Sequence, residues 1–92
     1  MQKDFYILGE IVNADSERFS EEDLCPQAFK KFIWDLKSGD KLVLHMNSVG
    51  GSVYGGMTIA NFIRELNEKG VETIAIVEGI AASIASVIAC AC

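Results

Sequence analysis

The sequence has too few basic residues to build a nucleic-acid surface. Eight lysines and arginines stand against thirteen acids, for a net charge of −5, and no basic stripe can be drawn on it. Metal-ligand spacing is missing too: Cys25, Cys90 and Cys92 form no zinc pattern, and there is one histidine. The three cysteines read as small buried or incidental thiols of a reducing compartment. A Cys90–Cys92 disulfide is not expected if that stretch is helical, because residues two apart face different ways. The start, Met1-Gln2-Lys3-Asp4, has no apolar run behind a basic end, so no signal peptide is read there. The apolar tail from Gly79 to Cys92 is too short to span a bilayer and carries two serines, Ser83 and Ser86. Neither a nucleic-acid nor a membrane partner is expected, and the chain reads as cytoplasmic. The glycine pair Gly50-Gly51 is followed by Ser52-Val53, without the lysine of a P-loop, and G-x-G-x-x-G is absent. No cofactor is expected.

What is present is apolar and ordered. Half of the 92 residues are hydrophobic, enough for one small domain and too many for a disordered chain. Phe5 to Val12 reads as a first strand, rich in aromatic and branched residues. Asn13 to Ser20 reads as a polar loop, and Ser20-Glu21-Glu22-Asp23 as a capped turn. Pro26 opens a helix, where its missing N–H costs little. Ala28, Phe29, Phe32, Ile33 and Leu36 recur at helical spacing along it, and Gly39 is its expected stop. Lys41 to Asn47 is a second strand, apolar enough to be covered on both faces. After the glycine turn Ser48–Ser52, a second helix runs from Val53 to Lys69, with Met57, Ala60, Ile63 and Leu66 on one face and Gly70 at its end. Gly55 and Gly56 weaken its first turns, which points to close packing there. Val71 to Val77 is a third strand, and a run of small and apolar residues after Ser83 is a third helix. The order β-α-β-α-β-α implies an α/β fold with a parallel sheet. There is no internal repeat and no linker.

Chemistry concentrates where strands end. In a parallel α/β layer, the loops leaving the C-terminal ends of strands line one edge. The topology therefore places Gly50-Gly51 beside Gly79-Ile80-Ala81-Ala82-Ser83. A serine at a sharp strand-to-helix turn has its hydroxyl exposed and the helix's first free N–H groups nearby. The logic is that of a nucleophile elbow, although G-x-S-x-G is absent. The N–H of Gly50 or Gly51, with that of Ile84, could form a two-donor oxyanion hole. From the residues alone, Ser83 reads equally as a small residue that lets helices approach. The glycines read equally as a phosphate cradle or a plain turn.

Asn47-Ser48-Val49-Gly50-Gly51-Ser52-Val53, linked to Gly79-Ile80-Ala81-Ala82-Ser83, resembles the proteolytic subunit of the Clp protease family. The likeness is strongest to its phage and prophage branch, the head-maturation (prohead) proteases, through Leu8-Gly9-Glu10-Ile11, Cys25-Pro26 and Ala82 to Ala89 as well. It covers nearly the whole chain from Phe5. The resemblance implies a crotonase-like ββα superhelix and a serine endopeptidase acting on protein or peptide substrates. It also implies homo-oligomeric rings, and an ATP-dependent unfoldase or phage capsid proteins as partners. Position by position, it implies that Ser83 is the nucleophile and that Gly50, with Gly51 adjoining, and Ile84 are the oxyanion donors. Ser52 and Val53 would begin the stretch along which a substrate strand lies. Val49 stands where proline is usual. The family's histidine and aspartate follow the serine, and no counterpart of either follows Ser83 here. The 92 residues are therefore read as the N-terminal part of one such domain, incomplete at the C-terminus and with little or no activity alone.

Two other functions remain open on the sequence. One is a crotonase-like enzyme using the same oxyanion hole on an acyl-CoA thioester. The other is a non-catalytic assembly module. His45, the sole histidine, is read as structural in preference to a general base. Trp34 is read as core or interface packing, Tyr54 as packing, and Met46 with Met57 as core filling. Ile80, Ile84, Val87 and Ile88 are expected to lack a partner layer. The acids Glu10, Asp15, Glu17, Glu21, Glu22 and Asp23 read as solvated loop and helix-start charges.

Overall fold

A computed structural model describes residues 1–14, 16 and 23–92. The expected cap at Ser20 and the acids Asp15, Glu17, Glu21 and Glu22 lie outside the described residues. Within them the chain is a mixed α/β fold of three strands and three helices: β1 (Gln2–Ile7), α1 (Pro26–Ile33), β2 (Lys41–Ser48), α2 (Val53–Glu68), β3 (Glu72–Ala81) and α3 (Ile84–Ala91). The sheet is parallel throughout, in the order β1-β2-β3. No helix among the described residues is long and apolar enough to cross a membrane.

One core joins the sheet to all three helices. Ile7 of β1 and Leu42, Leu44 and Met46 of β2 point into it. They meet Phe29 and Ile33 of α1, Ile59 and Ile63 of α2, and Ile84 and Ile88 of α3. The period-two alternation of β2 thus puts its even-numbered residues under the helices. Its other face carries Val43, His45 and Asn47, which no helix among the described residues covers. The expectation of a strand layered on both faces is corrected to one layered face. Val43 is nonetheless buried.

Several element boundaries differ from the sequence reading. The first strand does not run on to Val12. It stops at Ile7, the chain bends at Gly9, and Ile11 then bridges both Leu24 and Gly51. Helix α1 ends at Ile33 rather than near Gly39. Leu36 is buried beyond it, while Gly39 (φ +92°) donates its N–H to Gly70 O in a separate turn. β3 runs past Gly79 to Ala81.

Some side-chain readings are corrected as well. Trp34 is 76% exposed and Tyr54 78% exposed, so neither packs in the core of this chain; for Trp34 this sets aside the core reading and leaves the interface reading as an expectation. Met46 is fully buried, but Met57 is exposed at the first turns of α2 and does not share its core. Ile84 and Ile88 do find a partner layer in α2, whereas Ile80 and Val87 stay exposed. Gly56 explains the close approach of the two helices. A Cβ on it would run into the Ile84 side chain, and one on Gly55 would stand 2.7 Å from Val12 O.

Candidate active site

The site is built where β2 and β3 give up their regular pairing. The register shifts between Met46 and Ser48. Asn47 fills the gap: its Oδ1 accepts the Ile80 N–H at 3.1 Å, and its side chain occupies the space a Cβ on Gly79 would need. Ala82 N–H then donates to Ser48 O at 3.1 Å. This explains the extra length of β3. A side chain substitutes for a missing ladder bond, and a glycine makes room for it.

Ser48 is the second support. It is 3% exposed. Its hydroxyl donates to Gly9 O at 2.8 Å and accepts the Gly50 N–H at 3.1 Å. The first loop and the glycine loop are thereby fastened to each other. Ile11 completes the seam: its N–H donates to Gly50 O at 2.9 Å, and its carbonyl accepts the Ser52 N–H at 2.7 Å. Gly50 (φ +102°) and Gly51 (φ +147°) occupy backbone space that L side chains avoid. A Cβ on Gly51 would run into Ile11 O.

Truncating Ser48 leaves a half-buried carbonyl and a buried N–H without their partner. Ser48→Ala is expected to cost about 2 kcal/mol, read as a lower urea midpoint with an unchanged m-value. Ser48→Thr, which keeps the hydroxyl, is the control.

Ser83 lies against Gly50. A Cβ on Gly50 would stand 2.9 Å from Ser83 Cβ, 2.9 Å from Ala82 O and 3.2 Å from Ile84 N. Ser83 itself has φ 54° and ψ −131°, and it is the one non-glycine residue with positive φ among the described residues. Such a conformation costs about 1–3 kcal/mol. The turn is over-determined on both sides. Ala82 O accepts the Ala85 N–H, while Ser83 O accepts the Ser86 N–H at 3.0 Å and the Ser86 hydroxyl at 2.6 Å. The Ser83 side chain is exposed and makes no hydrogen bond to another described residue. The N–H groups of Gly51 and Ile84 likewise have no acceptor among the described residues.

The remaining sequence candidates fall as follows. Ser52 caps α2, its hydroxyl accepting the Gly55 N–H at 3.1 Å. With its own N–H donated to Ile11 O, it has no free backbone donor for an added strand. Val53 opens α2 with an exposed side chain. His45 does not turn towards Ser83: its two ring nitrogens face Asp4 and Glu78. Asn47 and Ser48 were visible to sequence reasoning only as parts of a motif. Their backbone-bonding work depends on a register shift that periodicity does not reveal.

A strained serine at a strand-to-helix turn, with the N–H groups of Gly51 and Ile84 lacking an acceptor among the described residues, defines an α/β protein with an elbow-type site. A family model described as Clp protease matches residues 21–92. The chain belongs to the Clp protease family and is, at the level of that family, a protease. No match was found among curated proteins or among solved structures.

Proposed function

We propose that the chain is the nucleophile-bearing part of a serine endopeptidase of the Clp proteolytic-subunit type, with Ser83 as nucleophile. The observation that carries the reading is the strained Ser83 in contact with Gly50, its hydroxyl making no hydrogen bond to another described residue. Backbone strain at an exposed serine is a cost that a purely structural residue would relieve by becoming glycine. An acyl-CoA enzyme of the crotonase type needs the donors but not the strained hydroxyl, so this observation favours the peptidase.

The chemistry follows from the geometry. Ser83 Oγ attacks the scissile carbonyl, and a general base takes its proton. Negative charge develops on the carbonyl oxygen, where the Ile84 N–H and the donors of Gly50-Gly51 receive it. Ser48 Oγ holds the Gly50 N–H in the free protein, which keeps the loop pre-set. Loss of one oxyanion donor typically raises the barrier by about 3–4 kcal/mol. His45 is tied elsewhere, so the base and its carboxylate partner come from outside these 92 residues. A substrate strand would enter over Gly51 and the exposed Val53. The fold would be the crotonase-like ββα superhelix, assembled into homo-oligomeric rings. The natural substrates would be proteins, with the prohead branch as the nearest type.

The test is peptide hydrolysis by the full-length polypeptide with and without Ser83→Ala. Loss of turnover is expected, and turnover that survives the substitution would overturn the reading.

A further inference from the structure

The sheet face away from the helices holds an arrangement that Ser83 chemistry does not use. His45 stands in the central strand, with Tyr6 beside it on β1 and Ile76 beside it on β3. Its Nε2 lies 2.8 Å from Asp4 Oδ2 and its Nδ1 lies 3.1 Å from Glu78 Oε2. The Tyr6 ring stacks on the imidazole, with centroids 4.4 Å apart and planes 13° apart. The His45 side chain is only 13% exposed.

A neutral imidazole has one N–H, and an ionised carboxylate can only accept. Two carboxylates, one on each ring nitrogen, are therefore satisfied together only by the imidazolium. We propose that His45 is a protonation-operated clasp. Charged, it ties β1 and the far end of β3 to the central strand; neutral, it releases Glu78 and loosens the chain leading into the Ser83 turn.

Glu78 is the carboxylate that lets go. Asp4 is steadied by a second bond, its Oδ1 accepting from Gln2 Nε2 at 2.9 Å. Glu78 makes no other hydrogen bond among the described residues. Next after Glu78 is Gly79 against Asn47, then Ile80 on Asn47 Oδ1, Ala82 on Ser48 O, and Ser83. The β2–β3 ladder is irregular just here, so the Glu78 tie supplements a weak stretch of pairing. Lys41 and Glu72, the other charged pair on this face, meet at 4.0 Å near the start of the strands.

Electrostatics runs in the same direction. Hydrogen bonds donated by the imidazolium to Asp4 first and Glu78 second hold the His45 pKa above its ordinary value, against a smaller opposing effect of burial. The clasp's contribution is thus complete below about pH 6.5 and is lost as pH rises through the raised value. Gln2 first, then His45, hold the Asp4 carboxyl below the usual range. At the acid end its share is kept down to about pH 4 and lost as pH falls through the lowered value.

Because His45 is the sole histidine of the 92 residues, its two carbon-bound ring protons give one pair of histidine signals in proton NMR of the chain, both following a single titration. The clasp requires an apparent pKa above about 6.5, lowered by Asp4→Asn and by Glu78→Gln. It also requires the amide signals of Gly79, Ile80, Ser83 and Ile84 to move along the same curve, and to lose that movement in His45→Gln. A ring that titrates at or below the ordinary value would overturn the proposal. So would amides at 79–84 that ignore the ring. Should a variant fold poorly, the unaltered chain alone decides between these outcomes. Nothing in this test depends on Ser83 being a nucleophile.

Discussion

Replacing Ser83 by glycine is expected to make the chain more stable and to remove its chemistry. The two effects have separate causes. In the native turn the serine backbone sits at φ 54° and ψ −131°, a conformation costing about 1–3 kcal/mol for an L side chain. Glycine relieves that strain and returns roughly 0.5–1 kcal/mol as extra freedom of the unfolded chain. A net gain of about 1 kcal/mol follows, read as a higher urea midpoint. Ser83→Ala keeps the strain and removes a hydroxyl that bonds to no other described residue. Its midpoint should stay close to that of the unaltered chain. Both variants should lose peptide hydrolysis in the full-length polypeptide, by roughly ten-thousand-fold or more, since nothing replaces the attacking oxygen. Stability that rises while activity vanishes is the signature of a strained functional residue. A glycine form less stable than the serine form by about 0.5–1 kcal/mol, the entropic cost of glycine alone, would mean that the turn carries no strain.

Gly50→Ala should have the largest effect on the fold. The added Cβ would be forced into positive φ, at about 1–2 kcal/mol. It would also stand 2.9 Å from both Ala82 O and Ser83 Cβ and 3.2 Å from Ile84 N. Backbone cannot swing aside as a flexible side chain can, so overpacking adds about 1–3 kcal/mol. A destabilisation of about 2–5 kcal/mol is a large part of what a domain of this size has to spare. The same displacement moves the Ile84 N–H away from any oxyanion, so hydrolysis falls even in molecules that remain folded. Gly39→Ala is the control: its φ is also positive, but nothing lies within 4 Å of the added Cβ. It should show the backbone part of the cost alone, with hydrolysis unaffected.

Much of this was legible in the residues, for reasons of topology. A parallel β-α-β-α-β-α order sends the loops after β2 and β3 to one edge, so the meeting of Gly50 with Ser83 needed no side-chain information. The glycines at 50 and 51 announce backbone conformations that other residues resist, and Pro26 marks the first turn of α1. What the sequence hid was non-local. Nothing in Phe5 to Val12 says that the strand bends at Gly9, because the cause is the Ser48 hydroxyl on Gly9 O and the pairing of Ile11 with Gly51. The extension of β3 past Gly79 depends on Asn47, which lies 33 residues before Ile80 in the sequence, on the neighbouring strand. Helical spacing put Met57 with Ala60 and Ile63, yet the first turns of α2 reach beyond the core. Tyr54 and Met57 are left in solvent there while Gly56 makes the contact with Ile84. The two carboxylate partners of His45 were equally hidden, because they come from β1 and β3 and are distant in the chain.

The claim beneath these expectations is that Ser83 and the glycine loop form one reactive pocket. Labelling the full-length polypeptide with a fluorophosphonate, then mapping the modified peptide, tests it most directly. The account predicts an adduct on Ser83, slowed when Gly50 is replaced by alanine and absent in Ser83→Ala. An adduct on Ser48, Ser52 or Ser86, or labelling that persists without the Ser83 hydroxyl, would contradict it.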